Sequence, residues 1–289
     1  MYDALRELSC RQVPGRTSAT GLEGGNRLPN SRPSKLADAV ALAFAAGIVA
    51  VFEFLHHAEF PATQARFLLS LAITAAFALM AWLIGGVSPS GAMAGSAVAF
   101  VMAVRDLRMF LALLMVFAVT LAATRVGYAR KQQLRAAEPP GGRTGSQAMA
   151  NLGVAALVVA VAPEGWPILA LAALAEAAAD TGSSEIGMAF PGNTILLTTL
   201  KPVPPGTDGG ISGFGTIAAL LGAALVALVA AVSRLISPDQ MFTIIAAGFL
   251  GTMVDSLLGA LFERRNRLNN DMVNLLSTAA TVGIAWALK

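Results

Sequence analysis

Residues 240–262 read QMFTIIAAGFLGTMVDSLLGALF, a run long enough to cross the roughly 30 Å hydrocarbon core of a bilayer, with one ionisable side chain, Asp255, inside it. A charge at mid-span costs about 2.5–3.5 kcal/mol on insertion scales, so it is kept where it has work to do. At helical spacing Gly248, Thr252, Asp255, Ser256, Gly259 and Glu263 form a narrow polar stripe. Leucines, valine, methionine and phenylalanines cover the rest of the surface. The next apolar run repeats the stripe with Asn270, Asn274, Ser277 or Thr278, and Thr281. Hydroxyls alone would read as hydrogen bonds that hold helices together. The carboxylate makes the stripe a candidate site.

The rest of the chain agrees with a membrane reading. Of 289 residues 56% are hydrophobic and only 13% charged, about half the charged fraction of a soluble domain. Mean hydropathy is +0.67. Nine apolar segments are expected near 36–55, 67–86, 91–104, 109–124, 149–163, 167–181, 213–233, 240–262 and 272–288. Three of them (91–104, 149–163 and 167–181) are short and rich in Ala and Gly, which lets helix backbones approach closely. The expected fold is all-α: a polytopic transmembrane helical bundle of about nine segments, one domain over 36–289, preceded by a polar, disordered tail over 1–35. With the N-terminus inside, 15 of the 20 Lys and Arg residues fall on inside loops, while Arg66, Arg105, Arg108, Arg234 and Lys289 fall outside. The basic residues sit in loops, without the aromatic-interleaved basic face of a nucleic-acid binder. The single Cys10 excludes an internal disulfide. The adjacent His56 and His57 point apart on a helix and read as interfacial.

The candidate functional core is 141–280. Glu176 and Asp180, four apart, share one helix face, and Glu185 follows just past the expected helix end. Carboxylates grouped in this way suit Mg2+, a hard cation that takes a few oxygens plus water and substrate phosphates. The loop KPVPPGTDGG, 201–210, offers Lys201, stiffening prolines, and Gly206, Thr207, Asp208, Gly209 and Gly210, whose backbone amides can turn toward an anion. Ser212 stands where the next helix begins, a position that favours anions. No Walker A motif is present. On the same face lie Lys131 and GGRTGSQAMAN, 141–151, with Arg143 and Gln147 as phosphate contacts and Asn151 at the next helix start.

With these residues in view, the chain resembles the integral-membrane family that holds plant phytyl-phosphate kinase, animal transmembrane protein 19 and many bacterial and archaeal members. The resemblance is carried by SPSGAMAGS (88–96), GGRTGSQAMANLGVAA (141–156), AEAAADTGSSEIG (175–187), LKPVPPGTDGGISGFGT (200–216), GTMVDSLLGALFE (251–263) and NNDMVNLLST (269–278). It covers about 70–289. Where members often carry a bulkier residue after the Asp-Thr pair, this chain has Gly182-Ser183. More distantly the pattern is similar to the CTP-using dolichol and phytol kinases and phosphatidate cytidylyltransferase. The resemblance implies a CTP-dependent, Mg2+-assisted kinase that converts an isoprenyl monophosphate to the diphosphate. Asp180, Lys201 and Asp255 would be catalytic, and Asp180 and Asp255 would hold the metal with Glu176 and Glu185 in support. Ser256, Asn269, Asn270 and Asn274 would join Arg143, Gln147, Asn151 and the 206–212 loop in binding substrate and nucleotide. The expected partners are a prenyl lipid and a nucleotide in a bacterial or archaeal plasma membrane, or an organelle membrane. The residues by themselves leave a second reading open, a transporter for a small anion or lipid-linked substrate.

Overall fold

The computed structural model describes residues 35–56, 64–134, 136–138, 141–162, 165–190 and 192–289. The expected N-terminal tail and His57 lie outside them. Each of the nine apolar segments coincides with a helix: α1 (Lys35–His56), α2 (Gln64–Leu83), α3 (Pro89–Arg105), α4 (Leu107–Arg125), α6 (Gly145–Val161), α7 (Trp166–Ala189), α8 (Gly213–Val232), α9 (Met241–Leu261) and α10 (Asn270–Leu288). A six-residue helix, α5 (Tyr128–Gln133), follows α4. Among the described residues six helices are long and apolar enough to cross a membrane: α1, α2, α4, α8, α9 and α10.

Two boundaries differ most from the expected ones, each for a local reason. α6 starts four residues early. Thr144 and Gln147 form a reciprocal capping box, so Asn151 lies in the second turn and is buried there. α7 runs on to Ala189, because Glu185 is anchored by a buried partner instead of leaving the helix as an exposed end. The fold is also not purely helical. Between α7 and α8 the chain makes a small antiparallel sheet of β1 (Thr194–Leu196), β2 (Pro202–Val203) and β3 (Gly210–Ser212), in the order β2-β1-β3.

Helix α7 is the axis of the bundle. It packs against α4, α6, α8, α9 and α10, and every residue from Ala170 to Ala179 is at most 2% exposed. Its alanines and the glycines facing it explain why. A Cβ at Gly222 of α8 would stand 2.8 Å from the Ala178 carbonyl oxygen, so the two backbones touch. Small residues take the place of side-chain interdigitation at such crossings.

The helices gather two sets of charges at opposite ends. At one end Arg66 donates to the Arg105 carbonyl (3.0 Å), Arg108 to the Arg234 carbonyl (2.7 Å) and to Asp106 (2.6 Å), and Arg105 stacks over the Trp166 ring. These belong to the group assigned to outside loops. At the other end the starts of α1, α3, α6, α8 and α10 meet the ends of α7 and α9. There Arg143 and Gly86 exchange a short parallel ladder that staples the start of α6 to the start of α3: Ser88 N–H donates to the Arg143 carbonyl (2.9 Å) and Arg143 N–H to the Gly86 carbonyl (3.2 Å). Asp38 of α1 closes the staple, accepting from the Ser90 hydroxyl (2.9 Å) and the Ser146 amide (3.2 Å).

Candidate functional site

The buried acids of α7 and α9 meet the hydroxyls of α10. Glu176, 1% exposed, accepts from Ser277 Oγ (2.8 Å) and Thr278 Oγ1 (2.9 Å). Asp255 accepts from the same Ser277 hydroxyl at 3.2 Å. Asp180, one turn beyond Glu176, lies beside Asp255 within hydrogen-bonding reach, and Arg143 and Glu185 act on it electrostatically. Ser277 and Thr278 also lie within reach of the Asn274 carbonyl, at 3.0 and 2.6 Å. A hydroxyl carries one hydrogen, so three neighbouring carboxyl groups share at most two such donors. The helices approach closely enough because Gly251 has no side chain; a Cβ there would fall 2.7 Å from Glu176 Cγ.

Arg143 stands between two acids. It acts electrostatically on Asp180 and on Asp271, which itself interacts with Ser146. Among the described residues its Nε is buried with no hydrogen-bond partner. Gln147 is engaged in the capping box and with Glu138 (3.1 Å), and Asn151 donates back to the Gln147 carbonyl (2.9 Å).

Other expected site residues are placed differently. Glu185 is buried against Lys131, whose ammonium is fully enclosed. Lys131 Nζ donates to Glu185 Oε2 (2.5 Å) and to the carbonyls of Thr124 (2.7 Å) and Ala123 (2.9 Å), which uses all three ammonium hydrogens. Lys201 is exposed beside β2 and forms no ion pair among the described residues. In the glycine loop the Thr207 and Gly210 amides are spent on turns, to the Pro204 (3.2 Å) and Thr207 (2.8 Å) carbonyls. Thr207 Oγ1 also bonds the Pro204 carbonyl. The loop is nonetheless carried to α9. Gly209, at φ +74°, packs so tightly on Ser256 and Ala260 that a Cβ would meet their backbone atoms at 2.5 Å, one turn beyond Asp255. Ser212 caps α8 through the Gly215 amide and Asn269 caps α10 through the Met272 amide, so both side chains have structural duties; Asn270 is exposed and Asn274 buried.

Asp38 was not anticipated; one acid near the start of the first apolar run gives no sequence signal. The Lys131–Glu185 pair spans 54 positions, and no periodicity reports it.

Among the described residues no group of three or more Asp, Glu, His or Cys side chains is arranged to hold a metal ion. The donor set is all oxygen and short of hydrogen-bond donors, and Asp180 and Asp255 approach each other across the α7–α9 contact. That chemistry fits a hard divalent cation bound by one or two carboxylates and otherwise by substrate oxygens.

A helical bundle with long apolar helices and acids enclosed at its centre defines a polytopic integral membrane protein. The chain belongs to the family described as Integral membrane protein DUF92, which matches residues 72–282. It is 33% identical over 191 residues to an uncharacterised membrane protein of Synechocystis sp., spanning 63% of this chain and 74% of that protein. It is 40% identical over 124 residues to an uncharacterised membrane protein of Methanocaldococcus jannaschii, spanning 42% and 51%. Its identity to the chloroplastic protein VTE6 of Arabidopsis thaliana is 31% over 181 residues, spanning 58% and 54%. No solved structure matches.

Proposed function

We propose that this protein is a membrane-embedded phosphotransferase that moves the terminal phosphoryl group of a nucleoside triphosphate, CTP by resemblance, onto an isoprenyl monophosphate of the phytyl type. The observation that carries the proposal is the Asp180–Asp255 contact with Arg143 beside it. It supports the reading because two oxygen-donor acids and one cation act on one another among the helices. The family resemblance to phytyl-phosphate kinase supports the choice of substrates. We further propose that nine segments cross the bilayer and that this end of the bundle faces the cytoplasm, where nucleotide is available.

Both substrates are polyanions and the acceptor is already a phosphate oxygen, so the reaction asks for charge neutralisation and alignment more than for a strong base. Asp180 and Asp255 would hold Mg2+, which would supply positive charge to offset that of the phosphates. Glu176, fixed by Ser277 and Thr278, orients Asp255 through the shared hydroxyl. Arg143 neutralises a phosphate. Glu185 keeps its charge paired with Lys131 and takes no part in the metal site. Lys201, exposed, meets the nucleotide from outside.

The test is turnover by purified protein against a panel of prenols and prenyl phosphates with each nucleoside triphosphate. Asp180→Asn and Asp255→Asn are expected to lower turnover by roughly 100-fold or more while membrane insertion stays intact. Full activity in both variants ends the proposal. CTP with Mg2+ is expected to raise the melting temperature of the wild type, whereas a transporter would show no such shift.

A further inference from the structure

Against Ala177 and Thr181 of α7 lies a cavity of about 280 Å³ between α2, α3, α4, α6 and α7, just below the roughly 300–1,000 Å³ typical of ligand pockets. Its walls are apolar: Phe77, Ala81, Leu113, Val116, Phe117 and Leu152. Phe77 meets Phe110 and Phe117 edge-on at 5.6 and 5.1 Å, so α2 and α4 touch through rings while their backbones stay apart. Apolar walls hold water poorly, and a gap without contacts forfeits dispersion energy.

The polar residues gather where the cavity reaches the start of α6. Arg143, Gln147 and Asn151 line it there with Arg125 and Tyr128. Most of their hydrogen bonds are made within the protein. Arg125 donates to the Ile84 carbonyl (3.2 Å), Tyr128 to the Glu138 carbonyl (3.3 Å), and the Glu138 carboxylate accepts from Gln147 (3.1 Å). Arg143 Nε is the exception, a buried donor without an acceptor, and a buried donor left unmade is costly. An apolar slot ending at an arginine that lacks one acceptor matches an amphiphile with an anionic, oxygen-rich head.

We infer that this cavity binds one apolar chain of a lipid whose anionic head sits at Arg143. The inference rests on the proposed reaction only for the identity of the head as a phosphate. Charge decides between occupants: an amphiphile with a quaternary ammonium head fills the walls equally well but offers Arg143 Nε no acceptor oxygen. Chain room is set by Gly95 of α3, which lines the cavity and where a Cβ would meet nothing within 4 Å.

The full chain in detergent is titrated with dodecyl phosphate, dodecyltrimethylammonium and inorganic phosphate by calorimetry, without nucleotide. Saturable binding of dodecyl phosphate alone is expected. Gly95→Leu weakens it by at least about tenfold, what excluding about two buried methylenes costs, while Gly95→Ala, which fits the open space, lowers affinity less. Arg143→Gln removes the preference for the phosphate head, and Arg143→Lys restores part of it. Equal binding of the ammonium amphiphile, or unchanged dodecyl phosphate affinity in both Gly95→Leu and Arg143→Gln, overturns the inference. Calorimetry with CTP and Mg2+ separates it from the proposed reaction. Lipid binding that depends on Gly95 without any nucleotide binding keeps the pocket and ends the reaction; nucleotide binding with no chain binding does the reverse.

Discussion

The two ends of the bundle hold charge in opposite ways. At the Arg66, Arg105 and Arg108 end each charge is answered locally and near the surface: Asp106 lies two residues from Arg108, accepts from its guanidinium and its amide, and starts α4. At the Arg143 end the acids are enclosed, come from the two helices α7 and α9, and share hydroxyls of a third that cannot serve them all. A structural ion pair completes itself. A group of acids short of donors leaves oxygen lone pairs for a further partner, and that difference is why the proposed site lies at one end.

Four substitutions sharpen the contrast, and the largest effect lies within the acidic end itself. Lys131→Met leaves Glu185 buried and unpaired, and is expected to cost about 3–5 kcal/mol in mixed-micelle unfolding. Adding Glu185→Leu should return most of that loss, because two apolar residues replace a buried pair well; no recovery would show that Glu185 is used by the site after all. Ser277→Ala removes the hydroxyl shared by Glu176 and Asp255. It is expected to cost about 1.5–3 kcal/mol, with turnover falling alongside. A loss of stability with turnover untouched would make the acidic group a structural feature. Asp106→Ala, at the other end, removes the α4 cap and is expected to cost about 1 kcal/mol.

Asp106 also gives a pH signature. Burial by itself would raise its carboxyl, but the hydrogen bonds and charge of Arg108 prevail and hold it below the ordinary carboxylate range. Its contribution is therefore complete above that range and is lost as the pH falls through its folded-state value. Because Arg108 is 44% exposed, solvent screening keeps the ion-pair part below about 1 kcal/mol. The stability difference between wild type and Asp106→Asn should shrink steadily on acidification. A difference that does not change with pH would show that Asp106 acts only as a cap.

Much of this architecture was legible in the sequence because membrane helices announce themselves by length and apolarity. The polar stripe through Thr252, Asp255 and Ser256 and its echo at Asn274, Ser277 and Thr278 were visible as two separate stripes, and the structure sets them against each other. What escaped depends on partners far apart in the chain. Glu185 reads as a helix-end carboxylate until Lys131 is found against it. Gln147 reads as a phosphate ligand until its capping box with Thr144 is seen. The sheet between α7 and α8 has strands of two or three residues, too short for alternation to register. Asp38 becomes informative only once α1 lies against the starts of α3 and α6.

The full enclosure of α7 bears on how the protein is made. A helix that carries Glu176, Asp180 and Glu185 and is sheathed by five others has no face suited to lipid, and each acid met alone by the bilayer opposes its insertion. Three of its neighbours, α8, α9 and α10, leave the ribosome after it does. In the proposed nine-span arrangement α7 has to wait at the insertion machinery or lean on α4 and α6 until Ser277 and Thr278 of α10 arrive.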